Sequence, residues 1–177
     1  MRLLLDKGIV RRYTESYWRS VKSQPLTPEQ RIAQDLLSTP FAERFFISPE
    51  LVNLLRLRVP LLAIEQIRPF LHVLISTKYQ RRWARRVRQN FGFGREDAHL
   101  LSLATFGIGI AGDILGVDLF VTFDLKLIDR FNENLPGIES RFSRMVSHLQ
   151  PPYTTAALPE VVTPDEALLL LSNVEGE

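Results

Sequence analysis

Three aspartates stand where a chain of this kind can do chemistry. Asp6 closes the apolar run Leu3-Leu4-Leu5, and Asp124 closes a second run, Leu119-Phe120-Val121-Thr122-Phe123. Asp97 lies in the first turn of a helical stretch over 97–104. Strand C-terminal ends and helix starts are where an open α/β sheet builds its site. Carboxylates converging in one cleft repel one another unless a cation lies between them, so the trio points to a divalent metal and phosphodiester chemistry. Each acid also has a plainer reading. Asp97 can serve its own helix as a first-turn acid, and Asp124 can cap the next one. Asp6, directly after buried leucines, demands partners. Thr122 is placed to orient Asp124. Asp118 reads as structural, and His72, His99 and His148 lack ligand spacing.

A second chemistry-bearing feature is the basic segment from Lys78 to Arg95. As a helix it divides cleanly. Tyr79, Trp83 and Val87 recur every four residues and face the core. Arg81, Arg82, Arg85 and Arg86, with Lys78, cover the other side and form a candidate RNA-binding ridge. The plainer reading is a solvated helix face; the density of Arg without interspersed acids, a short turn from Asp97, argues for the ridge.

The elements that must position these residues follow from pattern. A buried strand over 2–6 leads into a helix over 8–22, where Ile9, Tyr13 and Tyr17 repeat at i, i+4, i+8. Thr27-Pro28-Glu29-Gln30 is a capping box opening a second helix that ends before Pro40. A short strand over 44–47, a helix from Ser48-Pro49-Glu50, an extended stretch over 70–75 and a helix from Thr77 to about Gln89 come next. After the turn over 90–94 and the Asp97 helix, a strand over 118–123 precedes a helix carrying Leu125, Ile128 and Phe131. A separate short helix around Arg141, Phe142 and Met145 is expected before Pro151-Pro152. The chain closes with a strand over 158–162 and a helix opened by the capping box Thr163-Pro164-Asp165-Glu166. Alternating strands and helices predict an α/β fold with a parallel sheet covered on both faces.

Length and composition bound the rest. With 177 residues, 45% hydrophobic content and a net charge of +2, the chain suits one well-buried domain. Cys is absent, which excludes disulfides, thiol nucleophiles and thiolate metal sites and fits a reducing cytosol. The opening apolar run is too short for a signal peptide, and no run approaches the ~18–20 residues that span a bilayer. A cytoplasmic protein with no membrane association is the expectation.

Taken in order, these landmarks resemble the PIN-domain family of metal-dependent ribonucleases. The resemblance rests on Leu3-Leu4-Leu5-Asp6, on Arg95-Glu96-Asp97-Ala98 with its apolar helix, on Gly116-Val117-Asp118 through Asp124, and on Val161-Val162-Thr163-Pro164-Asp165-Glu166. It implies one PIN-like domain over 1–177, a three-layer α/β fold with a central mostly parallel sheet, and additional structure at 132–155. It further implies that Asp6, Asp97 and Asp124 are the catalytic acids and hold Mg²⁺ or Mn²⁺, which activates water against an RNA phosphodiester. As extensions, it implies the toxin of a toxin–antitoxin pair, with a small antitoxin protein as partner, and homodimerisation. The family's fourth acid has no clear counterpart: the expected position falls near Asn53 or Leu54, with Glu50 one turn early and Glu65 well beyond. Gly8 stands where the family usually has Asn, Ser or Thr. Those departures leave an alternative open, a catalytically degenerate PIN-like module that binds nucleic acid or protein.

Overall fold

Leu3, Leu4 and Leu5 are wholly buried, and adjacent buried leucines belong to a strand covered on both faces. The structure, a computed structural model, describes residues 1–38, 44–58, 71–112 and 114–173. In it these leucines form β1 (Arg2–Leu5), inside a six-stranded sheet ordered β4-β3-β2-β1-β5-β6. β2 (Arg44–Ile47) and β3 (Leu71–Ile75) lie parallel on one side of β1. β5 (Leu119–Val121) and β6 (Glu160–Val162) lie parallel on the other. The short β4 (Ile108–Gly109) closes the far edge antiparallel to β3.

Alternation along the strands divides the core into two. Leu3, Leu5, Phe45, Ile47, Leu119 and Val121 pack with α1 (Lys7–Val21), α2 (Pro28–Ser38), α3 (Pro49–Arg58) and α7 (Pro164–Asn173). Leu4, Phe46, Leu74, Phe120 and Val161 face the opposite way, toward α4 (Lys78–Phe91), α5 (Arg95–Phe106) and α6 (Leu125–Val146). This is the three-layer α/β class that the alternating pattern predicts.

Both capping boxes form. The Gln30 amide donates to Thr27 Oγ1 at 3.3 Å while Thr27 N donates to Gln30 Oε1 at 3.0 Å. Thr163 and Glu166 repeat the exchange at the start of α7. Gly92, in the left-handed region at φ 68°, ends α4 and lets the chain turn at once into α5.

One expectation is corrected. The second half of α6 is not a separate short helix; residues 125–146 form one helix with Pro136 inside it. Leu127, Phe131, Leu135, Ile138, Phe142 and Met145 belong to one core cluster on a stripe of three- and four-residue steps. That stripe crosses Pro136 without a break. Phe142 stands 5.8 Å from both Trp83 and Phe106, ring centre to ring centre, which ties α6 to α4 and α5. The proline therefore costs one backbone bond and does not end the helix. Pro40, Pro60, Glu65, Pro69 and Phe70 lie outside the described residues. Among the described residues no helix is long and apolar enough to cross a membrane.

Candidate functional site

From β1 the chain steps through β2 and β3 to one side of the sheet, while β5 and β6 lie on the other. The order reverses between β1 and β5, and the crevice at the C-terminal ends of such a pair is where open α/β sheets bind ligands. Leu5 is in register with Val121, so the next residues, Asp6 and Thr122, are neighbours. Thr122, fully buried, donates from Oγ1 to Asp6 Oδ2 at 2.9 Å and accepts from the Asp124 amide at 3.1 Å. One hydroxyl thus connects the Asp6 carboxylate to the Asp124 backbone.

All three predicted acids line a single cavity of about 320 Å³, together with Glu96, Gly8 and three cationic side chains, Lys7, Arg11 and Arg12. Each one also serves a helix. Asp6 caps α1, its Oδ1 accepting from Lys7 N at 2.7 Å. Asp124 caps α6 through Leu127 N at 3.2 Å. Asp97 sits in the first turn of α5, which has no side-chain cap, and accepts from the backbone of Gly94. The plainer readings and the site reading hold together, because the N-termini of α1, α5 and α6 converge on one place. Their positive dipole ends favour negative charge there.

The cavity perturbs its acids. Burial pushes the Asp97 carboxyl above its ordinary value, and the negative charges of Asp124 and Glu96 push the same way, against Arg130 and the Gly94 hydrogen bond. Burial likewise raises Asp6, partly offset by hydrogen bonds from Thr122, Lys7 and Gly8, with Glu96 adding repulsion. Among the described residues none of the three aspartates enters an ion pair with Arg or Lys. Glu96 does, weakly, with Lys7 Nζ at 3.8 Å between exposed side chains.

The donor set fits a hard divalent cation: it offers oxygen only, and its members repel one another. Its spacing is looser than a coordination sphere. Among the described residues, no three carboxylate, imidazole or thiol groups are gathered closely enough to hold a metal ion as they stand.

The sequence offers no clear fourth acid, and Glu65 lies outside the described residues. Glu50 does not reach the aspartates; it lines a separate, larger cavity and does not appear in theirs. Burial raises its carboxyl, but bonds from its own amide and from Ser48, with His99 nearby, hold it below the ordinary value. The acid that joins the trio is Glu96. Its signal was its place in the same helical turn as Asp97. A Cβ at position 8 would lie 3.4 Å from Asp6 Oδ2, in open contact distance, so Gly8 is not demanded by crowding.

The basic ridge divides. Arg81 and Arg85 line the larger cavity, of about 1190 Å³, between α3, α4 and α5. Arg82 and Arg86 do not; Arg86 instead lies near Arg82 and Arg141, and burial together with their like charges weakens it as a base. Arg88 and Arg95 line the cavity and were missed, as was Lys7, which borders both cavities with Glu96. Tyr79 is only half-buried, edge-on to Tyr153 at 4.4 Å, whereas Trp83 and Val87 are in the core as the period predicts. Asp118 is structural: it holds the Arg2 amide at 2.8 Å and its guanidinium at 2.7 Å.

No protein-family model, curated protein or solved structure matches the chain. Function has to be argued from the site itself.

Proposed function

We propose that this protein is a metal-dependent endoribonuclease of PIN-like type. The observation that carries the reading is the meeting of Asp6, Asp97 and Asp124 in one cavity at the switch point between β1 and β5. These three, with Glu96 beside them, are the residues to hold Mg²⁺ or Mn²⁺. Bound there, such an ion supplies a water that ionises near neutral pH and positive charge against the phosphate. The chain's own part is to orient the carboxylates. Thr122 fixes Asp6 and the Asp124 backbone, and the starts of α1, α5 and α6 bring the three carboxylates to one cavity. Lys7, Arg81 and Arg85 offer cations to the RNA backbone from the adjoining cavity. The same resemblance extends the proposal to a cytoplasmic toxin, with a small antitoxin protein and a second copy of the chain as partners.

The second reading is a degenerate PIN-like module that binds without cutting. It is favoured by the loose spacing of the carboxylates and by Gly8. Cleavage of a mixed single-stranded RNA pool with Mn²⁺, run beside Asp97→Asn, separates the two. The expected result is metal-dependent cutting that chelator abolishes and the variant reduces at least about a hundredfold, the scale for losing a group that manages charge at a reacting centre. Equal activity in both proteins, or none in either, sinks the nuclease reading.

A further inference from the structure

We infer that the larger cavity receives one unpaired nucleotide of the RNA strand, its base lying against His99 and its phosphates against the inner arginines of α4. The inference rests on RNA being the substrate class of the neighbouring carboxylate site. Its volume, about 1190 Å³, exceeds the usual range of small-ligand pockets, about 300 to 1,000 Å³. It therefore has room for a nucleotide with its backbone. Among the described residues five cationic side chains border it, Lys7, Arg81, Arg85, Arg88 and Arg95, and two carboxylates, Glu50 and Glu96, oppose them. A cavity so charged selects a polyanion. Lys7 and Glu96 border the aspartate cavity as well, so the two cavities adjoin.

The wall between α4 and α5 adds a surface for a base. His99 presents the one ring among the described lining residues, and imidazole is among the groups on which splayed RNA bases stack. Gln80, wholly buried, fixes that ring. Its Nε2 lies 3.2 Å from His99 Nδ1 and donates to the His99 carbonyl at 3.1 Å. A donor at Nδ1 assigns the ring proton to Nε2. His99 Nε2 and Gln80 Oε1 are both buried and without a hydrogen-bond partner among the described residues. A duplex cannot use this surface, since its bases are already stacked and paired.

The test is fluorescence anisotropy with the full chain in chelator, so that binding is read apart from cutting. A labelled single-stranded oligoribonucleotide is compared with its duplex, for the parent protein and for Arg85→Ala, Arg82→Ala and His99→Ala. The single strand is expected to bind about tenfold or more tighter than the duplex. His99→Ala should weaken single-strand binding about fivefold or more, the lower end for a base-stacking contact. Arg85→Ala should weaken it and reduce the salt slope by about 0.7, the value for one single-strand phosphate, with Arg82→Ala losing clearly less. Equal binding of duplex and single strand, or equal losses from the two arginine variants, overturns the inference. Displacement of the RNA by oligoglutamate as effectively as by unlabelled RNA also overturns it, and marks the cavity as a site for an acidic peptide. Should His99→Ala fail to fold, the two arginine variants decide, since both remove exposed side chains. Binding that follows this pattern without any cutting would keep the inference and discard the nuclease; cutting without the pattern would do the reverse.

Discussion

Asp97 carries two opposed demands in a single side chain. Its helix start welcomes a negative charge, while burial, Asp124 and Glu96 resist it and leave its carboxyl above the ordinary value. The folded chain therefore holds the Asp97 proton more tightly than the unfolded chain does. Stability contributed by this group falls as pH rises from the ordinary carboxylate value, about 4, through the raised folded one, and then levels off. Asp97→Asn removes that loss. In metal-free buffer its melting temperature should exceed the parent's near neutral pH by a few degrees at most, because the half-buried group is partly screened. Below about pH 4 the advantage should vanish. Thermal melts across this range check it, and an offset that does not change with pH contradicts it. The type and place of the three aspartates were legible from the sequence, since each ends an apolar run or begins a helix. Glu96 was not, because a first-turn acid beside Asp97 looks like helix chemistry until the Asp6 strand end is folded against it.

Among the elements, α6 shows how a strong local signal can mislead. Proline in a helix interior removes a hydrogen bond and crowds the preceding turn, and the sequence suggests a separate short helix beyond it around Arg141, Phe142 and Met145. The apolar stripe through Leu135, Ile138, Phe142 and Met145 gave the contrary signal, and packing against Trp83 and Phe106 decides for it. Pro136 is exposed and is not part of the core cluster. Pro136→Ala should then restore the missing bond to residue 132 and stabilise the protein by up to about 3 kcal/mol, at about 2–4 °C per kcal/mol for this size. Helicity by circular dichroism should be unchanged or slightly higher. A drop in either quantity would show that the proline has a purpose in the native helix. For α4 the sequence separated core from solvent correctly, but a period alone does not say which of two solvent-facing rows meets a neighbour. The start of α3 and the first half of α5 make that choice, taking Arg81 and Arg85 and leaving Arg82 and Arg86 outside.

At the scale of the whole molecule, the strand order creates the site. Because the chain builds outward from β1 in both directions, the C-terminal ends of β1 and β5 open onto one crevice, and α1, α5 and α6 all begin there. Acids that repel one another in the native state and are far apart in the unfolded one give a cation something to stabilise. Mn²⁺ at a hundredfold excess over its Kd should raise the parent's stability by about 2.7 kcal/mol. In a domain of this size that amounts to about 5–11 °C. Asp124→Asn should lose most of that rise. A metal-independent melting temperature would leave Asp6 and Asp124 as helix caps and Asp97 as a first-turn acid only.

The sequence by itself determined the alternation of strands and helices, the two-sided burial of β1, the capping boxes and the identity of three acids, because all of these follow from short-range period and residue type. Only the tertiary structure decided that Thr122 joins Asp6 to Asp124, that Glu96 rather than Glu50 stands with them, and which arginines face a cavity. Those are contacts between residues up to 116 positions apart. They are set by strand order and helix packing, which no local pattern encodes.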